Sequence, residues 1–149
     1  MKLAPRALPE LLAGRRIASV TGTNGKTTTT HFLTAAVRAE TPDGQRSVVT
    51  NADGANLHHG IVSALGQAPD ATIAVLETDE RVVADVVAMG SPEVLVLLNF
   101  SRDQLDRNHE LTFLGRDWRA ALEKAAEHGP TVVANACDPL IVWVCQKAR

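Results

Sequence analysis

Residues Thr21 to Thr30 read TGTNGKTTTT and follow the apolar run Ile17 to Val20. Gly22 and Gly25 allow the main chain to close on an anion. The first N–H groups of a helix starting near Lys26 would then face that anion from the positive end of the helix dipole. Lys26 can bring a charge to terminal phosphates, and Thr27 can place its hydroxyl on a Mg²⁺ that bridges two phosphate oxygens. In the common GxxxxGK[ST] pattern the first glycine would stand at position 20, where this chain has Val20, so the loop is of the shorter GTNGKT type. A plain glycine turn with a solvated lysine is the alternative. It leaves Lys26, Thr27 and both glycines together unexplained.

Other polar residues fall at the ends of apolar runs. Glu77 closes ATIAVLE, with Asp79 and Glu80 after it. Mg²⁺ takes one or two carboxylates beside phosphate oxygens and waters. Glu77 is therefore the first metal candidate and Asp79 the second, because side chains alternate along a strand. Helix capping is an equal reading for Asp79, and Glu80 is expected in solvent. Asn51 follows SVVT, and Arg102, Asp103, Gln104 and Asp106 crowd behind EVLVLLN, either to position phosphates or as a solvated loop. His58 and His59 are adjacent on an expected helix and so do not share a face, which argues against a two-histidine metal pair.

The elements that must carry these residues alternate. Helices are expected over Lys26–Glu40, Ala55–Leu65, Asp79–Met89 and Thr112–His128, with a last one capped by Asp138 and opened by Pro139. Strands are expected at Ile17–Val20, Ser47–Thr50, Ala71–Glu77, Glu93–Asn99 and Thr131–Asn135. Phe32, Leu33, Ala36 and Val37 should form the inner face of the first helix. Val82, Val83, Val86 and Val87 should do so in the third, and Phe113, Leu114, Trp118, Ala121 and Leu122 in the fourth. Strictly alternating strands and helices imply an α/β fold, a parallel sheet with helices on both faces. In such a sheet ligands gather at the carboxyl ends of the strands, where the polar residues above converge.

Composition sets outer bounds. The chain has 149 residues, 45% hydrophobic and 21% charged, with a net charge of −2, which suits one soluble domain and excludes a generally basic nucleic-acid binder. No run approaches the roughly 18 apolar residues of a membrane span, and the first residues lack the apolar core of a signal peptide, so a cytoplasmic location is expected. Cys137 and Cys145 are too few for a Cys₄ zinc site and are expected as small, mostly buried residues.

TGTNGKTTTT, NADGANLHHGIVSAL, ETDE, NFSRDQLDR and VVANACDPL occur in the order found in the Mur ligase family, and the chain resembles the P-loop NTPase-like central ATP-binding domain of that family from about Arg16 to Trp143. RDQLDR in place of the commoner DHLD, together with NACDP, is most similar to the MurT branch, the Mur-ligase-like subunit of lipid II isoglutaminyl synthase. The resemblance implies ATP and Mg²⁺ as cofactors and activation of a carboxylate as an acyl phosphate. The implied outcome is amidation of the D-glutamate of a lipid II-type muropeptide, with ammonia from a glutaminase partner of the GatD type. Carried onto this chain, Gly22, Thr23, Asn24, Gly25, Lys26, Thr27 and Thr28 would hold the ATP phosphates. Thr27 and Glu77 would hold the metal, and Lys26 and Glu77 would be catalytic. Asn135 and Asp138 would lie by the base or ribose, and Asn51, Arg102, Asp103, Gln104 and Asp106 would face the substrate.

The resemblance divides the chain into a lead-in, residues 1–15, and a central domain, residues 16–149, without the C-terminal ligase domain of such enzymes. Cys137 stands where NADDP-like segments carry an acid, and no counterpart of the family's carbamylated lysine follows SRDQLDR. Another Mur-family acid–amino acid ligase, such as a folylpolyglutamate synthase relative, and a non-catalytic nucleotide-binding or interaction module are the alternatives.

Overall fold

The computed structural model describes residues 6–100, 108–125, 127–146 and 148. Among them, β1 (Arg16–Thr21), β2 (Val48–Thr50), β3 (Ile73–Glu77), β4 (Val94–Leu97) and β5 (Thr131–Ala134) form one sheet in the order β2-β3-β1-β4-β5. Every pairing is parallel. The helices are α1 (Ala7–Leu12), α2 (Lys26–Glu40), α3 (Gly44–Ser47), α4 (His58–Gln67), α5 (Val83–Gly90), α6 (Asn108–Lys124) and α7 (Pro139–Cys145).

Ile17, Ala74, Leu76, Leu95 and Leu97 project to one face of the sheet, because successive side chains alternate and the register pairs Ile17 with Ala74 and Ser19 with Leu95. That face carries the core. Leu8 and Leu12 of α1, Ile61 and Leu65 of α4 and Val86 of α5 pack on its β1–β3 side. Leu114, Trp118 and Leu122 of α6 and Ile141 and Val144 of α7 pack on its β4 side. The valines of the third expected helix are all buried. On the opposite face, α2 lies over β1, β2 and β3.

The structure departs from the expected pattern on α2. Phe32 is 73% exposed, Ala36 is also exposed, and the helix is buried instead through Thr30 and Thr34. Thr30 tolerates the sheet-facing position because its Oγ1 donates to the Lys26 carbonyl at 2.8 Å, whereas the Thr34 Oγ1 is buried without a partner. Phe113 of α6 is likewise exposed. The second expected helix starts later, at His58, and α5 starts at Val83, because residues 51–57 and 78–82 form the loops that build the site. The short α3 has no counterpart in the sequence pattern. The two cysteines are unpaired, with Cys137 exposed rather than buried and Cys145 half-buried, where burial pushes its thiol pKa up.

Trp118 joins core to site. It is 1% exposed, stacks on Phe100 with ring centroids 4.5 Å apart, and donates from Nε1 to the Glu80 carbonyl at 2.8 Å. Trp118→Ala is expected to lower stability by about 3–5 kcal/mol in urea unfolding followed by circular dichroism. A loss under about 1 kcal/mol would contradict this role.

Candidate functional site

The loop between β1 and α2 is shaped by its neighbours. Gly22 has φ of +137°, and a Cβ there would lie 2.8 Å from Leu98 Cβ and 2.9 Å from the Asn99 nitrogen. Only glycine fits both the backbone angle and the space. Thr23 N–H donates to the Asn99 carbonyl at 2.8 Å. The Asn99 side chain then grips Asn24 from both sides, accepting from its N–H and donating to its carbonyl, each at 3.0 Å. Gly25, at φ +83°, is the N-cap of α2, and the first intrahelical bond runs from Thr29 N–H to the Gly25 carbonyl at 3.0 Å. The N–H groups of Lys26, Thr27 and Thr28 precede that bond and are oriented for an outside acceptor. Thr27 and Thr28 are exposed.

Lys26 folds over the loop. Its Nζ donates to the carbonyls of Gly22 at 2.6 Å and Thr23 at 3.2 Å and pairs with Glu80 Oε2 at 3.5 Å. Both side chains of that pair are largely buried, so Glu80 is not the solvated residue that its sequence position suggests. Asp79 binds Arg81, accepting from its N–H at 3.0 Å and from its Nε at 2.8 Å. It neither caps α5, whose N-cap is Val82, nor offers a free carboxylate to a metal.

Glu77 is the buried acid. It is 2% exposed and pairs in register with Val20, two residues before Gly22. Its Oε1 accepts from Asn56 Nδ2 at 2.9 Å, whereas Oε2 is buried with no partner. Asn51 braces the same residue through the backbone. Its Oδ1 accepts from Glu77 N–H and its Nδ2 donates to the Glu77 carbonyl, both at 2.8 Å. Asn51 is thus a buried structural clamp, not a side chain open to a substrate.

Beside the loop lies a cavity of about 430 Å³ walled by Asn24, Gly25, Thr29, Val96, Leu98, Asn99, Val133 and Asn135. Of the two residues expected by the base or ribose, Asn135 is on this wall. Asp138 lies outside it with both oxygens engaged: Oδ1 caps α7 through Leu140 and Ile141 N–H, as expected, and Oδ2 accepts from Phe100 N–H at 2.7 Å. Its part is to hold the end of β4. Arg102, Asp103, Gln104 and Asp106 lie outside the described residues. Asn56, Glu80 and the grip of Asn99 have no signal in the sequence beyond polar residues following strands.

These features fit a polyphosphate with a divalent cation. Among the described residues no group of three His, Cys, Asp or Glu is placed to hold a metal ion. No described helix is long and apolar enough to cross a membrane.

A parallel sheet with a glycine–lysine–threonine loop at the end of its central strand and a buried acid at the end of the next defines a domain of the P-loop type. Residues 20–148 match the family model of the Mur ligase middle domain, and the chain belongs to the Mur ligase family. It is 40% identical over 137 residues to the lipid II isoglutaminyl synthase (glutamine-hydrolyzing) subunit MurT of Streptococcus pneumoniae, covering 89% of this chain and 29% of the relative. It is 33% identical over 127 residues to the same subunit of Staphylococcus aureus, covering 84% and 28%. A solved UDP-N-acetylmuramoyl-L-alanyl-D-glutamate--2,6-diaminopimelate ligase superposes with a TM-score of 0.62 at 26% identity, covering 89% of this chain and 29% of that one. The chain thus spans less than a third of the length of these relatives.

Burial alone would raise the Asp79 pKa, but hydrogen bonds from the Arg81 side chain and N–H, with the charges of Arg81 and Lys26, outweigh it and hold the carboxyl below its ordinary value of 3.8. A folded-state pKa below the unfolded one stabilises the fold above the unfolded value, and this contribution is lost as pH falls through the folded value. Asp79→Asn should therefore lower the melting temperature at neutral pH, and the gap from the parent should begin to shrink below about pH 4 and close only once the pH passes below the folded value. A gap independent of pH would refute this ionic role.

Proposed function

We propose that the chain is the ATP-binding part of a MurT-like ligase that activates a carboxylate as an acyl phosphate for amidation by ammonia. The D-glutamate of a lipid II-type muropeptide is the substrate, and a glutaminase subunit of the GatD type supplies the ammonia. The observation that carries the nucleotide reading is Lys26, held over a loop whose backbone is fixed by Asn99 and whose following helix turns its first N–H groups outward. The similarity to MurT subunits of two bacteria supports the choice of acceptor and partner. The structural likeness to a diaminopimelate ligase favours a second reading, an amino-acid-adding Mur ligase with the same nucleotide chemistry.

The residues divide the work. Gly22 to Thr28 would wrap the phosphates, and Lys26 would leave the loop carbonyls and Glu80 to meet the terminal phosphates. Thr27 and Glu77 would hold Mg²⁺, which when bound neutralises phosphate charge. Asn135, on the cavity wall, would meet the base or ribose. Positioning and fixed charge would supply the catalysis, since phosphoryl transfer asks little covalent chemistry of the protein.

Calorimetric titration of Mg²⁺-ATP into the folded chain tests this. Lys26→Ala should remove most binding, at least about tenfold, as expected for loss of a charged hydrogen bond to phosphate. Glu80→Gln removes the competing carboxylate and should tighten binding several-fold. No binding by the parent, or equal binding by Lys26→Ala, would sink the nucleotide assignment.

A further inference from the structure

The Glu77 carboxylate is asymmetric. Both its oxygens belong to a residue that is 2% exposed, yet Oε1 has a hydrogen bond and Oε2 has none. A buried carboxylate oxygen without a partner is costly and uncommon in folded proteins. The surroundings do not relax to relieve it, because the residue is fixed from two directions. Asn51 holds the Glu77 main chain at its N–H and its carbonyl. Asn56 holds the carboxylate, and Asn56 is itself pinned: Asp79 N–H donates to its carbonyl at 3.0 Å, and Asn51 Nδ2 donates at 2.9 Å to the carbonyl of the preceding Ala55. Gly60 lets this loop lie flat on α4, since a Cβ there would stand 2.1 Å from the Ala55 carbonyl oxygen.

On the reading that this site binds Mg²⁺-ATP, we infer that Asn56 is a positioning residue that makes Glu77 a one-oxygen metal ligand. Its amide occupies Oε1 and leaves Oε2 for the cation, which suits the near-octahedral sphere of Mg²⁺, where single oxygens from one or two carboxylates share the ion with phosphates and water. The donor is neutral. A lysine or arginine in its place would cancel the charge that attracts the metal, whereas an asparagine orients the carboxylate and leaves it anionic. Groups that orient a ligand in this way contribute strongly to metal affinity without touching the metal.

The test separates metal-linked binding from loop-based binding. ATP is titrated calorimetrically into the parent and Asn56→Ala, with EDTA and then with saturating Mg²⁺, and melting temperatures are taken for both. The expected result is that Mg²⁺ tightens ATP binding to the parent, and that Asn56→Ala keeps its metal-free affinity within about twofold while losing about tenfold of the Mg²⁺ enhancement. Asn56→Leu, similar in size but without the amide donor, should lose the enhancement too. If Asn56→Ala retains the full enhancement, or the parent binds ATP equally with and without Mg²⁺, the inference falls while the nucleotide reading stands. Parallel loss of metal-free and Mg²⁺-dependent binding would assign Asn56 a merely structural role and overturn it as well. A parent that binds no ATP under either condition ends both.

Discussion

The site depends on how closely the loop after β1 meets the end of β4. Gly22 lies against Leu98 and Asn99 at a distance that excludes any side chain, and Asn99 completes the contact by pairing with both polar groups of the Asn24 backbone. An asparagine amide presents both donor and acceptor, so it can substitute for a strand neighbour where the strand itself has ended. The loop is therefore shaped by the protein itself. Its conformational entropy has been spent in folding, and a ligand bound there would need only to displace the contacts of Lys26. The chain after β4 is tied to the start of α7 through the bond from Phe100 N–H to Asp138, and Phe100 rests on Trp118. Loop, sheet end and helix α6 thus form one connected body.

Charge is distributed over that body in a consistent way. Lys26 contacts two carbonyls and Glu80, Asp79 is satisfied by Arg81, and Glu77 keeps one oxygen bare. The lysine that would meet phosphate has an exchangeable counter-charge, while the acid that would meet a cation has none. Glu80 at 3.5 Å is a weak partner compared with a polyphosphate bearing several charges, so exchange of one for the other is favoured.

Much of the fold is legible in the sequence because periodicity and breakers agree. The bounds of α2, the buried valines of α5 and the Asp138–Pro139 start of α7 all follow from local patterns. The apolar stripe of α2 misleads because such a stripe predicts burial only where packing alone sets the rotation. Here Thr30 and Thr34 take the buried side of the helix, and Phe32 is turned outward. In the site, Lys26 and Glu77 stand out by residue type and strand position, since a lysine after two loop glycines and an acid ending an apolar strand are each unusual unless they meet a charge of opposite sign. Asn56 and Asn99 do not stand out, because an asparagine in a loop becomes informative only when its partner, 21 or 75 residues away, is known. Asp138 is legible as a cap, but its second oxygen, which the sequence offers to a ligand, serves the backbone of Phe100.

The topology explains why the cavity lies where it does. From β1 the chain crosses to β2 at one edge, and right-handed connection places α2 on one face. The later crossings, from β2 to β3, β3 to β4 and β4 to β5, all run the other way across the sheet, so α4, α5 and α6 take the opposite face. β1 therefore lies between two strands whose following helices leave on the other side, which is the switch point where open parallel sheets bind ligands. Among the described residues no crossover helix covers β4 and β5 on the α2 side, and Val133 is 54% exposed there. The wall of Val96, Val133 and Asn135 is open for the same reason, beside the start of α2. A single reversal of chain direction at β1 thus accounts for both the glycine loop and the room next to it, and the remaining residues tune what that room can hold.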